Sequence, residues 1–272
     1  MASFQNKIIL VTGGARGIGY LMGKKSLQKG ARHLILWDID ETKLQDAKNE
    51  LLELGYSVST QQVDVSSSDQ VERAAKEVLT QFGHVDILFN NAGVIVGKLF
   101  HQHSSQDIDR TIDINVKGLM YVANQFLPKM MDRNSGHIVS ITSAVGLTPN
   151  PGMVVYASSK WGAVGWAESL RLELKNSHPG IKFLNVMPSY IDTGMFSGVK
   201  APLLMPLLDP EKITDKIISS VEAEHIHLKT PFMVKTTLFF RGILPTWLYD
   251  FVAGQIFKVY ESMNTFKGHP NE

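Results

Sequence analysis

A tyrosine and a lysine one helical turn apart are the residues of this 272-residue chain best suited to proton transfer. Tyr156 and Lys160 are four positions apart, so on a helix their side chains share one face. A phenol has a pKa near 10, but a neighbouring ammonium favours the phenolate and lowers that pKa. Ser143, 13 residues upstream, can hydrogen-bond a substrate oxygen. The set suits proton exchange with an alcohol or carbonyl, although the same spacing also occurs in ordinary helices with a packed tyrosine and a solvated lysine.

A glycine-rich loop follows the first apolar run and leads into a segment with helical periodicity. It reads TGGARGIG at residues 12–19. Glycines let the backbone approach a pyrophosphate, and the N-terminus of the following helix offers free N–H groups. Asp38 ends the next apolar run, 19 residues after Gly19, where its carboxylate can bind both ribose hydroxyls and would repel a 2′-phosphate. The loop and the acid together predict NAD as cofactor.

Two alternatives remain open for this cofactor site. Arg16 lies in the glycine loop and could contact a 2′-phosphate, which would favour NADP. Asp38 could instead cap the helix that starts near Asp40. The position and spacing of Asp38 favour the ribose role and hence NAD.

The elements that must position these residues alternate between short apolar runs and helical segments. The runs are residues 8–11, 34–37, 57–63, 85–89, 137–142, 183–187 and 232–234. Near-continuous apolar strands separated by helices predict an α/β, single-domain, doubly wound Rossmann fold, with about seven parallel strands and helices on both faces. We assign residues 1–230 to the dinucleotide-binding and catalytic part. Residues 231–272 are expected to hold the last strand and an apolar helical extension of the same domain.

Composition excludes several classes of function. The chain has no cysteine and a net charge of +1, so disulfides, thiolate chemistry and a basic nucleic-acid surface are not expected. Two histidine pairs, His101/His103 and His225/His227, lack carboxylates at ligand spacing, so no metal is expected. Since the sequence shows neither a signal peptide nor a long apolar run, we expect a cytoplasmic protein.

Further motifs occur in order along the chain: Asp64-Val65 after the third run, NNAG at residues 90–93, and Asn115 within INV. With the TGxxxGxG loop, Ser143 and YxxxK, they make residues 7–193 resemble the short-chain dehydrogenase/reductase family. The resemblance implies that Tyr156 is the acid/base, that Lys160 lowers its pKa and holds the ribose, that Ser143 orients the substrate oxygen, and that Asn115 holds a proton-relay water. Ser189 stands where the family usually has glycine. The implied cofactor contacts are Gly13, Arg16, Gly17, Ile18, Gly19, Asp38, Ile39, Asp64, Val65, Asn91, Ala92, Gly93, Tyr156, Lys160, Pro188, Ile191 and Thr193.

Two apolar segments bear on the substrate. Residues 194–210, where the family builds its substrate lid, are apolar and suit a lipophilic ligand, or else pack on the core.

The aromatic-rich tail from residue 231 resembles the C-terminal regions of membrane-associated members that oxidise retinol and 17β-hydroxysteroids. The tail could cover the substrate entrance, form a dimer interface, lie peripherally on a membrane, or simply pack on the body. The family also implies a homodimer or homotetramer through the helices after Ser104 and Tyr156.

The function predicted from these patterns is NAD-dependent oxidation or reduction of a lipophilic secondary alcohol or ketone, such as a steroid or retinoid. The alternatives are an NADP-dependent carbonyl or 3-oxoacyl reductase and a non-catalytic dinucleotide-binding regulator. A sugar-nucleotide epimerase would need a larger C-terminal domain than 272 residues allow, and a hydrolase would need a GxSxG elbow that the chain lacks.

Overall fold

Seven parallel strands form the central sheet of the computed structural model, which describes residues 3–268. Their order across the sheet is β3-β2-β1-β4-β5-β6-β7. Every neighbouring pair is parallel, which confirms the predicted doubly wound fold. The strands are β1 (Ile8–Thr12), β2 (His33–Asp38), β3 (Val58–Gln62), β4 (Ile87–Asn90), β5 (Gly136–Ile141), β6 (Ile181–Pro188) and β7 (His227–Thr230).

The predicted position of the last strand is wrong. Residues 232–234 begin helix α8 (Phe232–Ile243), and the edge strand is β7, which lies just before them and pairs with β6. The Phe-Met-Val triplet has the composition of a strand, but it follows Pro231, the N-cap residue of α8. The true strand reads His-Leu-Lys-Thr, because an edge strand with an exposed face needs few apolar residues.

Helices cover both faces of the sheet, and each face has its own apolar core. Helices α1, α2 and α7 pack on one face, and α3, α5 and α6 pack on the other. Asp40, Ser67 and Asp209 each accept a backbone N–H at the start of α2, α3 and α7, which defines where those helices begin. The helices are α1 (Gly17–Gln28), α2 (Glu41–Glu53), α3 (Ser68–Phe82), α4 (Ser105–Ile112), α5 (Leu119–Asp132), α6 (Val154–Ser177), α7 (Pro210–Glu222), α8 and α9 (Thr246–Phe251).

The order of the strands decides where a ligand can bind. The chain first winds outward from β1 to β3 and then resumes on the other side of β1 with β4. The loops leaving β1 and β4 therefore run in opposite directions and open a crevice at the carboxyl edge of the sheet.

Within residues 3–268, no helix combines the length and hydropathy needed to cross a membrane.

Candidate active site

A large cleft opens at this edge of the sheet. All seventeen residues that the sequence predicts as cofactor contacts line it, from Gly13 in the first loop to Thr193 beyond β6. The catalytic candidates Ser143, Tyr156 and Lys160 line the same cleft, whereas Asn115 does not. Ser66 and Arg110 also line the cleft, although no sequence motif singled them out.

The glycine loop is shaped by steric contacts that admit no side chain. Gly13 and Gly17 have φ values of +62° and +57°, in the left-handed region that favours glycine. A Cβ on Gly19 would overlap the carbonyl oxygen of Gly13 and lie 2.7 Å from Nδ2 of Asn91. The loop therefore folds tightly over the start of α1 and presents backbone to the cleft, as a pyrophosphate site requires.

Backbone N–H groups hold Asp38 at the end of β2. Its Oδ2 accepts from Ala15 at 3.1 Å, and its Oδ1 accepts from Asp40 at 3.2 Å. The cap of α2 is Asp40, whose side chain accepts from the backbone N–H of Lys43. Since Asp40 fills the capping role, the carboxylate of Asp38 remains part of the cleft wall.

Asn91 joins the loops that follow β1 and β4. Its Nδ2 donates to the carbonyl oxygens of Thr12 and Gly13 at 2.9 and 3.0 Å. In return, Oγ1 of Thr12 accepts from the backbone N–H groups of Asn91 and Ala92, both at 3.0 Å. Although Asn91 lines the cleft, its amide nitrogen is thus committed to fixing the shape of the glycine loop.

Tyr156 and Lys160 lie in the first turns of α6, and both are buried. Nζ of Lys160 lies 5.7 Å from the centroid of the Tyr156 ring and donates to the carbonyl oxygen of Ile141 at 3.1 Å. Ser143 follows β5 by two residues; its Oγ accepts from the backbone N–H of Val145 at 3.2 Å, and its side chain lines the cleft together with Tyr156. The helix and the strand end together bring the three predicted groups to one point of the cleft.

Burial controls the acidity of this pair more than their proximity does. Desolvation raises the pKa of Tyr156, while the hydrogen bond with Ser143 opposes that rise. Burial also lowers the pKa of Lys160 to about 8. The expected lowering of the phenol pKa by the ammonium is therefore outweighed in this structure by loss of solvent. Lys160 holds a proton that can leave near neutral pH.

Asn115 lies in a π-helical turn, Asp113–Gly118, between α4 and α5. Its Oδ1 accepts from the N–H of Val94 and its Nδ2 donates to the carbonyl of Val94, both at 2.9 Å. Nδ2 also donates to Oγ of Ser159 at 3.0 Å. Its side chain thus anchors the loop after β4, and the predicted water relay stays a prediction.

A second, mostly apolar cavity adjoins Tyr156. Ser143, Ser189 and Tyr156 stand at its junction with the cleft. Of the predicted lid, Phe196, Pro202 and Met205 line this cavity. Leu203 and Leu204 are instead 55% and 63% exposed. The lid is therefore only partly a wall of the cavity. The rest of the wall was not singled out from the sequence and consists of Ala144, Val145, Thr148, Asn150, Met153, Tyr190 and Val259.

The tail returns over this cavity after α9. Met263 packs in one buried cluster with Tyr156 and Tyr190, and Phe266 packs against the same cluster. Helix α8 buries only Val234, which packs with Ala144 and Leu147 below the cavity. From the tail, Val259 lines this cavity, while Met263 and Phe266 pack against the cluster around Tyr156; the roles considered for the tail stay predictions.

The histidine pairs take part in local contacts. His103 contacts the carbonyl of Leu99, and Nε2 of His227 pairs with Glu168. Among the residues that the structure describes, no three His, Asp or Glu side chains are grouped as a metal ion would need.

A family model described as short chain dehydrogenase matches residues 7–203. The chain belongs to this family. Epidermal retinol dehydrogenase 2 of Mus musculus is 36% identical, over 88% of this chain and 78% of the relative. Estradiol 17-beta-dehydrogenase 11 of Pongo abelii is 32% identical, over 89% and 81%. The protein is thus an oxidoreductase of the class that acts on CH–OH groups with a nicotinamide dinucleotide as acceptor.

Two solved structures resemble this dehydrogenase. One is a short chain dehydrogenase/reductase from Burkholderia phymatum in complex with NAD, with a TM-score of 0.81 and 25% identity over 89% of this chain and 95% of that chain. The other is an alcohol dehydrogenase from Thermococcus sibiricus complexed with 5-hydroxy-NADP, with a TM-score of 0.72 and 26% identity over 82% and 93%. Because the two differ in cofactor, the choice between NAD and NADP must be argued from this chain's residues.

The cleft of the dehydrogenase fits a dinucleotide. A Cβ on Gly13 would lie 3.0 Å from Cα of Ala92, so the glycine lets the first loop pack directly against the loop after β4, and the cleft keeps its backbone lining. When bound, the nicotinamide supplies the exchange of hydride with the substrate carbon. The chain's own groups supply a phenol at Tyr156, a hydroxyl at Ser143 and a buried amine at Lys160, which can hold the substrate oxygen and move its proton.

Proposed function

We propose that this dehydrogenase uses NAD(H) to interconvert a lipophilic secondary alcohol, of steroid or retinoid size, with its ketone. The observation that carries the proposal is the largely apolar wall beside the phenol of Tyr156, which adjoins the open cleft. It is supported by the names of relatives that act on retinol and estradiol. A panel of steroid and retinoid alcohols and ketones, followed through NADH fluorescence, tests it. Turnover confined to small polar alcohols would contradict it.

We assign the following roles on the geometry of the cleft. Tyr156 donates or accepts the proton of the reacting oxygen, and Ser143, which lines both the cleft and the adjoining cavity with Tyr156, orients the oxygen. Lys160 holds the ribose hydroxyls and supplies a proton, helped by the low pKa that burial gives it. Asn115 positions the loop at Val94 and relays protons to Lys160 through a water.

The preference for NAD rests on Asp38, whose carboxylate the backbone fixes in the wall of the cleft. We expect Asp38→Ser to lower the ratio of kcat/KM for NAD to that for NADP by about tenfold or more, because a hydrogen bond to a charged group contributes about 1.5–3 kcal/mol. The values of kcat/KM for NAD and for NADP are measured with the same alcohol substrate. Asp40→Ser keeps the cap of α2 and serves as the matched control with an unchanged ratio. Equal use of NAD and NADP by the unaltered protein would refute the assignment.

The apolar cavity predicts that kcat/KM rises with the apolar size of the alcohol. Each buried methylene should add about 0.8 kcal/mol, or roughly fourfold, until the cavity is filled. Val259, in the tail, lines the cavity, so Val259→Ala should raise KM for large substrates more than for small ones. Leu204→Ala changes an exposed side chain of the predicted lid and is the control. An effect of Val259→Ala that is independent of substrate size would count against the tail as part of the substrate wall.

Peripheral contact with a membrane, a cytoplasmic location and assembly into a homodimer or homotetramer stay predictions. For the membrane contact, the supporting feature is α8 and α9, where Phe232 and Trp247 are each 71% exposed. For assembly, it is α6, where Gly165 is exposed and has no atom within 4 Å of where a Cβ would stand, so a second helix could approach closely.

A further inference from the structure

Two polar atoms in the wall of the substrate cavity have no hydrogen-bond partner among residues 3–268. They are Oδ1 of Asn150 and Oγ of Ser189, on residues that are only 5% and 8% exposed. Buried polar groups are nearly always hydrogen-bonded, so each unpaired one calls for a physical reason. Both lie in the same cavity as Tyr156 and Ser143.

Neighbouring hydroxyl groups fix the orientation of the Asn150 amide. With Oγ of Ser262 donating to the carbonyl of Val259 at 2.7 Å, the phenol of Tyr190, 2.7 Å from that Oγ, is the donor to it. Nδ2 of Asn150 then donates to the lone pairs of Tyr190 at 2.8 Å and of Ser262 at 3.2 Å. Turning the amide over would set its carbonyl against two oxygens whose protons are already committed. The atom left unpaired is therefore the acceptor, Oδ1.

The position of this acceptor relates it to the substrate. Asn150 lies six residues before Tyr156 and shares the cavity with it. Tyr190, which holds the amide, packs with Tyr156 through Phe196. The rest of the wall is largely apolar, so an acceptor here can be satisfied by a donor that the substrate brings.

We propose that Oδ1 of Asn150 accepts a hydrogen bond from a second donor on the substrate, a hydroxyl or amide N–H apart from the reacting oxygen. The inference rests on the proposed function in taking this cavity as the substrate site. A site built to bond a donor strongly disfavours the analogue that lacks it, because the buried acceptor is then left unpaired. The preferred substrates are lipophilic diols and hydroxyketones, such as hydroxysteroids with two oxygen functions. Retinol, whose single hydroxyl is the reacting group, should be a poorer substrate.

The test compares matched pairs of alcohols that differ only in a second hydroxyl. One pair is 5α-androstane-3β,17β-diol and 5α-androstan-17β-ol. A second set, cyclohexanol with the 1,2-, 1,3- and 1,4-cyclohexanediols, varies the distance of the donor from the reacting carbon. We expect the unaltered protein to favour the diol by about tenfold or more in kcat/KM for at least one spacing. We expect Asn150→Leu to bring that ratio close to one.

Matched variants distinguish the loss of the hydrogen-bond acceptor at Asn150 from a general change in the packing of the cavity. Thr148→Val alters another polar side chain of the cavity, one that is hydrogen-bonded to Tyr249, and should leave the diol preference unchanged. Asn150→Ser shortens the reach of the polar group and should lose the preference as Asn150→Leu does, which covers the case in which the leucine variant fails to fold. Loss of activity by the same factor for both members of a pair in the Asn150 variants would overturn the inference.

Calorimetry measures the binding of each pair of alcohols to the protein saturated with NADH. This measurement tests the inference independently of the proposed function, because it does not depend on turnover. If no alcohol of the panel is turned over with NAD or NADP, the proposed function fails. Tighter binding of the diol that Asn150→Leu abolishes would still support the acceptor. Equal binding of diol and monoalcohol at every spacing by the unaltered protein would overturn it.

Discussion

Tyr156→Phe should abolish turnover while leaving dinucleotide affinity almost unchanged. The substitution removes the phenol oxygen and keeps the ring, which is buried among Val145, Met153 and Met263. Because a positioned acid/base contributes about 10²- to 10⁴-fold to a rate, kcat should fall by that factor. NADH affinity, measured by fluorescence titration, should change little.

The matched control removes a phenol oxygen that is hydrogen-bonded outside the set of Ser143, Tyr156 and Lys160. Tyr249→Phe loses a hydrogen bond of 2.7 Å to Thr148 but leaves the Tyr156–Ser143 pair in place. It should keep most of the activity. If Tyr156→Phe retained more than a small fraction of the unaltered rate, Tyr156 would not be the proton carrier.

Gly19→Ala should cripple dinucleotide binding. The new methyl group would overlap the carbonyl of Gly13 and crowd Nδ2 of Asn91, both of which define the loop over α1. Overpacking of this kind costs about 1–3 kcal/mol. If that cost falls on the loop that receives the phosphates, the Kd for NADH should rise by about tenfold or more.

The control for this substitution is a glycine in open space. A Cβ on Gly242, within α8, would have no atom within 4 Å, so Gly242→Ala should leave the Kd for NADH unchanged. Thermal unfolding of both variants reports whether the fold survives. Unchanged NADH affinity in a folded Gly19→Ala protein would show that the close approach of Gly19 to Gly13 does not determine cofactor binding.

The cofactor half of the molecule could be predicted from the sequence because its constraints are local. Gly13 and Asp38 lie at the ends of strongly apolar strands and Gly17 begins the helix that follows β1, and the backbone geometry that they serve involves neighbours in the chain. A parallel sheet then brings these strand ends to one edge whatever the remaining contacts are. The predicted cofactor residues consequently line a single cleft.

The substrate half could not be predicted in the same way. The short polar strand β7 has no apolar pattern, and an apolar triplet in α8 resembled a strand more closely. The return of Met263 onto Tyr156 depends on tertiary packing that no local pattern encodes. The acidity of Tyr156 depends on its burial, which the four-residue spacing to Lys160 does not report.

Because the tail is the last part of the chain to be made, the residues around the two cavities become available at different times during synthesis. All residues that line the dinucleotide cleft lie between residues 13 and 196. The amide of Asn150 meets Ser262 across 112 residues, and Tyr190 meets Ser262 across 72. A growing chain thus contains every residue that lines the cleft before it contains the tail residues that pack beside Tyr156. Since a ligand that binds only the folded form stabilises it, dinucleotide binding would favour folding of any unfinished chain in which the cleft has formed.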